Sequence, residues 1–107
     1  MVKINKPLLT TAEKAAMDGA RAAGRAILKR SNELAPRDDG DLIKSGGVRS
    51  DDLTVQVGYA ALHARFQHED LDLNHANGGQ AKFLEAAADQ VDVERFIADS
   101  VRKAFGG

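Results

Sequence analysis

An α+β fold follows from three features of the sequence: a long helical stretch near the start, a short alternating hairpin, and a second helical stretch at the end. The expected order is a long N-terminal helix, a small antiparallel β-hairpin or sheet, a long loop, and a C-terminal helix packed on the sheet. A chain of 107 residues suits one domain, residues 1–107, with one modest core. Much of its apolar content is alanine, and the aromatics are only Phe66, Phe83, Phe96, Phe105 and Tyr59. Alanine buries little area per residue, so the core is thin. A thin core predicts that the subunit draws part of its stability from neighbours.

The first helix is read from "TTAEKAAMDGARAAGRAILKRSNELAP". Thr10 with Glu13 three residues later forms a capping-box pattern, in which each side chain satisfies an orphan amide at the helix start. Small or apolar residues at Ala12, Ala16, Ala20, Ala23, Ile27 and Leu34 keep helical spacing. Gly19 and Gly24 each cost the helix about 1 kcal/mol relative to alanine, but they let another backbone approach this face. Pro36 disfavours helical geometry at Ala35 and ends the element.

"PRDDGDL" is a turn, because proline, two aspartates and glycine all favour tight reversals. Two strands are expected next, "LIKSGGVRS" and "LTVQVGY", joined around "SDD". In the second, Leu53, Val55 and Val57 share one face while Thr54 and Gln56 share the other. A lone hairpin is marginal in water, so it needs a covering helix or further strands. Residues 60–79 show no clean period and are expected to form a long loop, of the kind that is usually functional in so small a domain.

From Gln80 the helical pattern returns. Phe83, Leu84, Ala87 and Ala88 form one apolar group, and Val93, Phe96, Ile97, Val101, Ala104 and Phe105 a second. Asp92 is placed to cap a separate last helix, with Val91–Asp92 as a bend.

The chain has no cysteine, which excludes disulfides, thiolate zinc sites and cysteine nucleophiles. No apolar run is long enough to span a bilayer, and the opening residues lack the apolar centre of a signal peptide, so a protein without membrane association, made in the cytoplasm, is expected. The net charge of −1 hides a gradient of +4 over residues 1–35, −4 over 36–79 and −1 over 80–107. Lys14, Arg21, Arg25 and Lys29 lie around the alanine stripe as a solvated helix face does, although a basic helix also raises nucleic-acid binding as an alternative.

All three histidines, His63, His68 and His75, fall between Gly58 and Glu85, with Glu69, Asp70 and Asp72 beside them. A loop-based metal hydrolase is one reading, but "HEDLD" lacks the second histidine of HExxH. Gly78–Gly79 precedes a helix without a nucleotide-binding glycine pattern, and no serine stands in a GxSxG elbow. The expectation is no enzyme, no cofactor and no metal.

The segment "APRDDGDLIKS", with Ala35, Pro36, Gly40, Leu42 and Ser45, resembles the Ala-Pro-x-x-Thr-Gly-x-Leu-x-x-Ser turn of small neck proteins of long-tailed bacteriophages: head–tail joining, tail-completion or minor capsid proteins. Asp39 stands where that family usually has threonine. "VGYA", with Tyr59, resembles the end of the family's hairpin, and "QHE" (Gln67–Glu69) and "GGQAKFLEAA" resemble the return of a loop into a C-terminal helix begun by a Phe-Leu anchor, here Phe83–Leu84. The likeness covers roughly residues 10–105. It implies a virion structural protein, present in the host cytoplasm during assembly, that forms a homo-oligomeric ring at the head–tail junction and joins the capsid connector to the tail. Other neck, connector and tail proteins would be its partners, and DNA would pass through the ring lumen without specific binding. A tail-terminator subunit of the same particle is the nearest alternative. On this reading the 60–79 loop, with His63, Arg65, Phe66, His68, Glu69, Asp70, Asp72 and His75, is a mobile assembly loop that lies on the next subunit. Pro36, Gly40, Leu42, Tyr59, Phe83 and Leu84 are its structural turn and anchor.

Overall fold

The computed structural model describes residues 10–35, 40–51, 54–59, 63–67, 70–75 and 82–106. Helix α1 (Thr11–Leu34) is followed by a short α2 (Gly40–Lys44), strands β1 (Gly47–Ser50), β2 (Thr54–Gly58), β3 (His63–Gln67) and β4 (Asp70–His75), and helices α3 (Lys82–Gln90) and α4 (Val93–Ala104). The α+β class, the long first helix, the antiparallel sheet and the C-terminal helical region are as the sequence predicts.

Helix α1 begins at the expected capping box. Thr10 N–H donates to Glu13 Oε1 at 3.0 Å, and Glu13 N–H donates to Thr10 Oγ1 at 3.1 Å. It ends at Ala35, whose extended backbone (ψ 150°) is the geometry a following proline imposes. The buried face runs through Ala16, Ala20, Ala23 and Ile27 and also takes in Ala15, Met17 and Ser31. Ala12, expected in that stripe, is exposed in the first turn, and Leu34 at the other end is partly covered.

The four strands form one antiparallel sheet in the order β1-β2-β3-β4. Val55 and Val57 of β2 and Phe66 of β3 are almost wholly buried and join Met17, Ala20 and Ile27 of α1 and Leu84, Ala87 and Ala88 of α3 in one core. A Cβ added to Gly24 would lie 3.1 Å from Val48 Cγ1 and 3.2 Å from Val55 Cγ1, so this glycine lets α1 settle on the sheet. Gly19 does the same for α4, with a Cβ there falling 2.6 Å from the Phe96 carbonyl oxygen and 2.7 Å from Ile97 Cα.

Two expectations are corrected. The segment from Leu42 is not strand at its start. Gly40–Lys44 is one helical turn closed by Ser45, whose hydroxyl donates to the Leu42 carbonyl at 2.6 Å, and β1 begins only at Gly47. The long loop over 60–79 contains two strands, β3 and β4, that double the sheet, because pairing to β2 satisfies backbone groups that a loop would leave to water. The last helical region divides at Val91–Asp92, as its cap signal allows, with Arg95 N–H donating to Asp92 Oδ1 at 3.1 Å. Its first half, α3, packs on the sheet's core through Leu84, as expected of the C-terminal helix, and α4 lies along α1.

Candidate assembly surface

One face of the sheet lies against α1, and the register fixes which of its described residues point there. Val48, Val55, Val57 and Phe66 lie toward α1. On the other face Arg49 stands across from Gln56, and the backbone register continues from Gln56 to Arg65 and from Arg65 to Asn74. Gly47 stands opposite Gly58, and Gly58 opposite His63, in the next row. Gly58 has φ 141°, a conformation that favours glycine. A Cβ at Gly47 would meet open space. Beside this pair, Arg49, Gln56 and Tyr59 border a shallow cleft of about 210 Å³.

Tyr59 fixes the end of β2 from below. Its hydroxyl is 2.7 Å from Ser31 Oγ and 2.7 Å from Asn32 Oδ1. The Asn32 oxygen accepts from it, which leaves Ser31 to donate to the tyrosine oxygen. Ser31 is fully buried, so this bond satisfies a hydroxyl that would otherwise be costly in the core. The ring of Phe83 meets that of Tyr59 at 5.6 Å and 58°, a tilted aromatic pair. Burial pushes the Tyr59 phenol above its usual value of 10.0, against a smaller lowering by the Ser31 hydrogen bond.

The second surface is α4. Its apolar residues keep one side of the helix, yet none of them is fully buried. Val93 and Ile97 pack against the core, while Phe96 is 37 % exposed and Phe105, just beyond the helix, 62 % exposed. Arg95, Asp99 and Arg102 form an ion-pair ladder along the helix, with Arg102 Nη1 2.8 Å from Asp99 Oδ1.

The expected site residues separate under this geometry. Phe66 is not a loop residue offered to a neighbour: at 2 % exposure it belongs to the core, because its register position opposite Val55 lies on the covered face. His63 and Arg65 lie in β3, and Asp70, Asp72 and His75 in β4. His68 and Glu69 lie outside the described residues, as does Pro36 of the turn. Gly40 and Leu42 belong to α2. Of the proposed anchor pair, Leu84 is wholly buried, whereas Phe83 is only partly covered and acts through Tyr59.

Sequence reasoning missed β3 and β4, although a signal for them was present. In "HARFQ", Ala64 and Phe66 alternate with polar residues, and in "DLDLNH", Leu71 and Leu73 do the same. Alternation over five or six residues is the mark of a half-buried strand, and the two runs are separated by just two residues.

Among the described residues, no group of three or more histidine or acidic side chains comes together in a way that suits a metal ion. No described helix is long and apolar enough to cross a membrane. No protein-family model matches this chain, and neither a curated protein nor a solved structure is significantly similar to it.

Proposed function

We propose that this chain is a structural subunit of a tailed phage or phage-like particle, assembling into a ring at the head–tail junction that joins the capsid connector to the tail. The observation that carries the reading is α4. Gly19 lets its backbone sit directly on α1, so it is held firmly, yet the apolar side it presents stays half uncovered. An amphipathic helix fixed in that way is built for a subunit interface, where burial of Phe96 and Phe105 adds the apolar area a thin core lacks. The element order also agrees with what the neck-protein resemblance implies, from the first helix and turn through the hairpin to a C-terminal helix entered by Phe83–Leu84. The role is one of assembly, without turnover, in the virion and in the host cytoplasm before it.

Light scattering coupled to gel filtration, with electron microscopy of purified particles, tests this reading. Rings in solution or incorporation at the neck are expected. A chain that stays monomeric at every concentration and is missing from particles would refute it.

One observation favours a second reading. Lys14, Arg25 and Lys29 are exposed along one side of α1, while Arg21 is turned to Asp18 and Ser50 and Arg30 to Gln90 and Glu33. Three exposed cations in line suit a nucleic-acid backbone. Duplex DNA binding by the monomer, weakened steeply by salt and lost in a Lys14/Arg25/Lys29 triple alanine variant, would establish it in place of the ring.

A further inference from the structure

A glycine weakens a strand unless something requires it. At Gly47 nothing described within the subunit does. A Cβ there would meet open space, its φ is not positive, unlike that of Gly58 opposite it, and its pairing with β2 is in regular register, without a bulge. What remains is the other use of a strand glycine, room for a ligand or another chain to come close. Gly47 and Gly58 line the cleft of about 210 Å³, and Arg49 and Gln56, the next register pair, stand beside them. Both of these side chains are N–H donors. Among the described residues neither the Arg49 guanidinium nor the Gln56 side-chain amide has a hydrogen-bond or ion-pair partner, although Gln56 is partly buried.

We propose that the cleft at Gly47 and Gly58 binds a carboxylate, held by the Arg49 guanidinium and the Gln56 amide. The site lies within one subunit and does not rest on ring assembly. The planar fork of an arginine matches the two oxygens of a carboxylate, and the glutamine adds a neutral donor beside it. Arg49 is the one cation among the described side chains that line the cleft, and no acid is among them. A single positive charge balances a carboxylate and leaves the second charge of a phosphate unbalanced. Charge also decides which side of Arg49 is used. A second shallow cleft of about 310 Å³ borders the same two residues but also Asp51, whose carboxylate repels an anion. On the glycine side the bare backbone lets whatever carries the carboxylate lie close to the strands. The donor set suits a free carboxylic acid and an acidic peptide side chain alike.

Nuclear magnetic resonance of the ¹⁵N-labelled full chain at neutral pH tests the site, with three probes: sodium acetate, inorganic phosphate, and a blocked tripeptide with a central glutamate. Acetate is expected to shift the Arg49 Nε–H, the Gln56 side-chain amide and the Gly47 and Gly58 amides together. Its midpoint should lie about ten-fold or more below that at Arg25, an exposed arginine of α1, because two converging donors hold an anion better than one. A tripeptide midpoint below that of acetate assigns the carboxylate to a peptide chain; the reverse assigns it to a free acid. Arg49→Gln should abolish the response with circular dichroism unchanged. Gly47→Val should melt no lower than wild type yet lose the response, since the new side chain fills the cleft. Equal midpoints at Arg49 and Arg25, or phosphate binding more tightly than acetate, would overturn the carboxylate site. A Gly47→Val chain that binds as wild type, or one that melts lower, would overturn the role given to Gly47.

Discussion

Helices α3 and α4 follow one another across a two-residue bend, carry the same kind of apolar spacing, and meet opposite fates. Helix α3 buries Leu84, Ala87 and Ala88 in nine residues. Helix α4, with twelve, buries none. The difference lies in what each helix faces. Leu84 enters the space between α1 and the valines of β2, whereas among the described residues α4 lies chiefly on α1, and its apolar side is covered mainly where Val93 and Ile97 meet the core. Amphipathicity states that a face needs a partner; it does not say whether the partner belongs to the same subunit.

Substitution should break this comparison at its strongest point first. Leu84→Ala removes a wholly buried side chain and is expected to lower stability by about 2–5 kcal/mol, a large share for a domain of this size, measured by urea unfolding. A loss below about 1 kcal/mol would mean that α3 is not seated as described.

The α1–α4 contact comes next. Gly19→Ala would raise the helix propensity of an isolated α1 by about 1 kcal/mol. In the folded chain the new methyl meets α4 backbone at 2.6–2.7 Å, and overpacking of that kind costs about 1–3 kcal/mol. Net destabilisation is expected, with the α4 amides losing exchange protection first. A stabilised variant would show that α4 stands further from α1.

Tyr59→Phe removes the phenol that partners the buried Ser31 and is expected to cost about 1–3 kcal/mol, with oligomer mass unchanged once folded. The same residue sets a pH dependence. Because its folded-state pKa is raised above 10.0, stability owed to the neutral phenol is intact below pH 10 and is lost as pH rises through the folded value, where the unfolded chain ionises first. Thermal melts across pH 8–11 should be flatter on the alkaline side in Tyr59→Phe than in wild type; identical alkaline slopes would remove Tyr59 as the cause.

The smallest effect on folding is expected at the uncovered end of α4. Phe105→Ser should change subunit stability by no more than about 0.5 kcal/mol while reducing oligomer mass at a given concentration. If stability falls as it does for Leu84→Ala, the helix is not an exterior surface, and the contrast with α3 disappears.

Local chemistry made much of this fold legible. The Thr10–Glu13 box, the extended backbone at Ala35 before proline and the Asp92 cap each act within a few residues, so their consequences can be read without knowing what lies across the core. The alternation of β2 was equally plain, and the alternation of β3 and β4 was present in "HARFQ" and "DLDLNH" but obscured by histidines, which suit loop and strand alike. A five-residue helix such as α2 is too short to show a period.

The sequence by itself determined where helices start and stop, which side of each is apolar, and that Gly19 and Gly24 leave room for something to come close. Only the tertiary structure decided what came close: the backbone of α4 at Gly19, and Val48 with Val55 at Gly24. It also decided that Phe66 fills the core, that Leu84 rather than Phe83 is the buried anchor, and that four strands rather than two make the sheet. Those outcomes depend on which distant segments share a volume, a long-range pairing that no local spacing encodes.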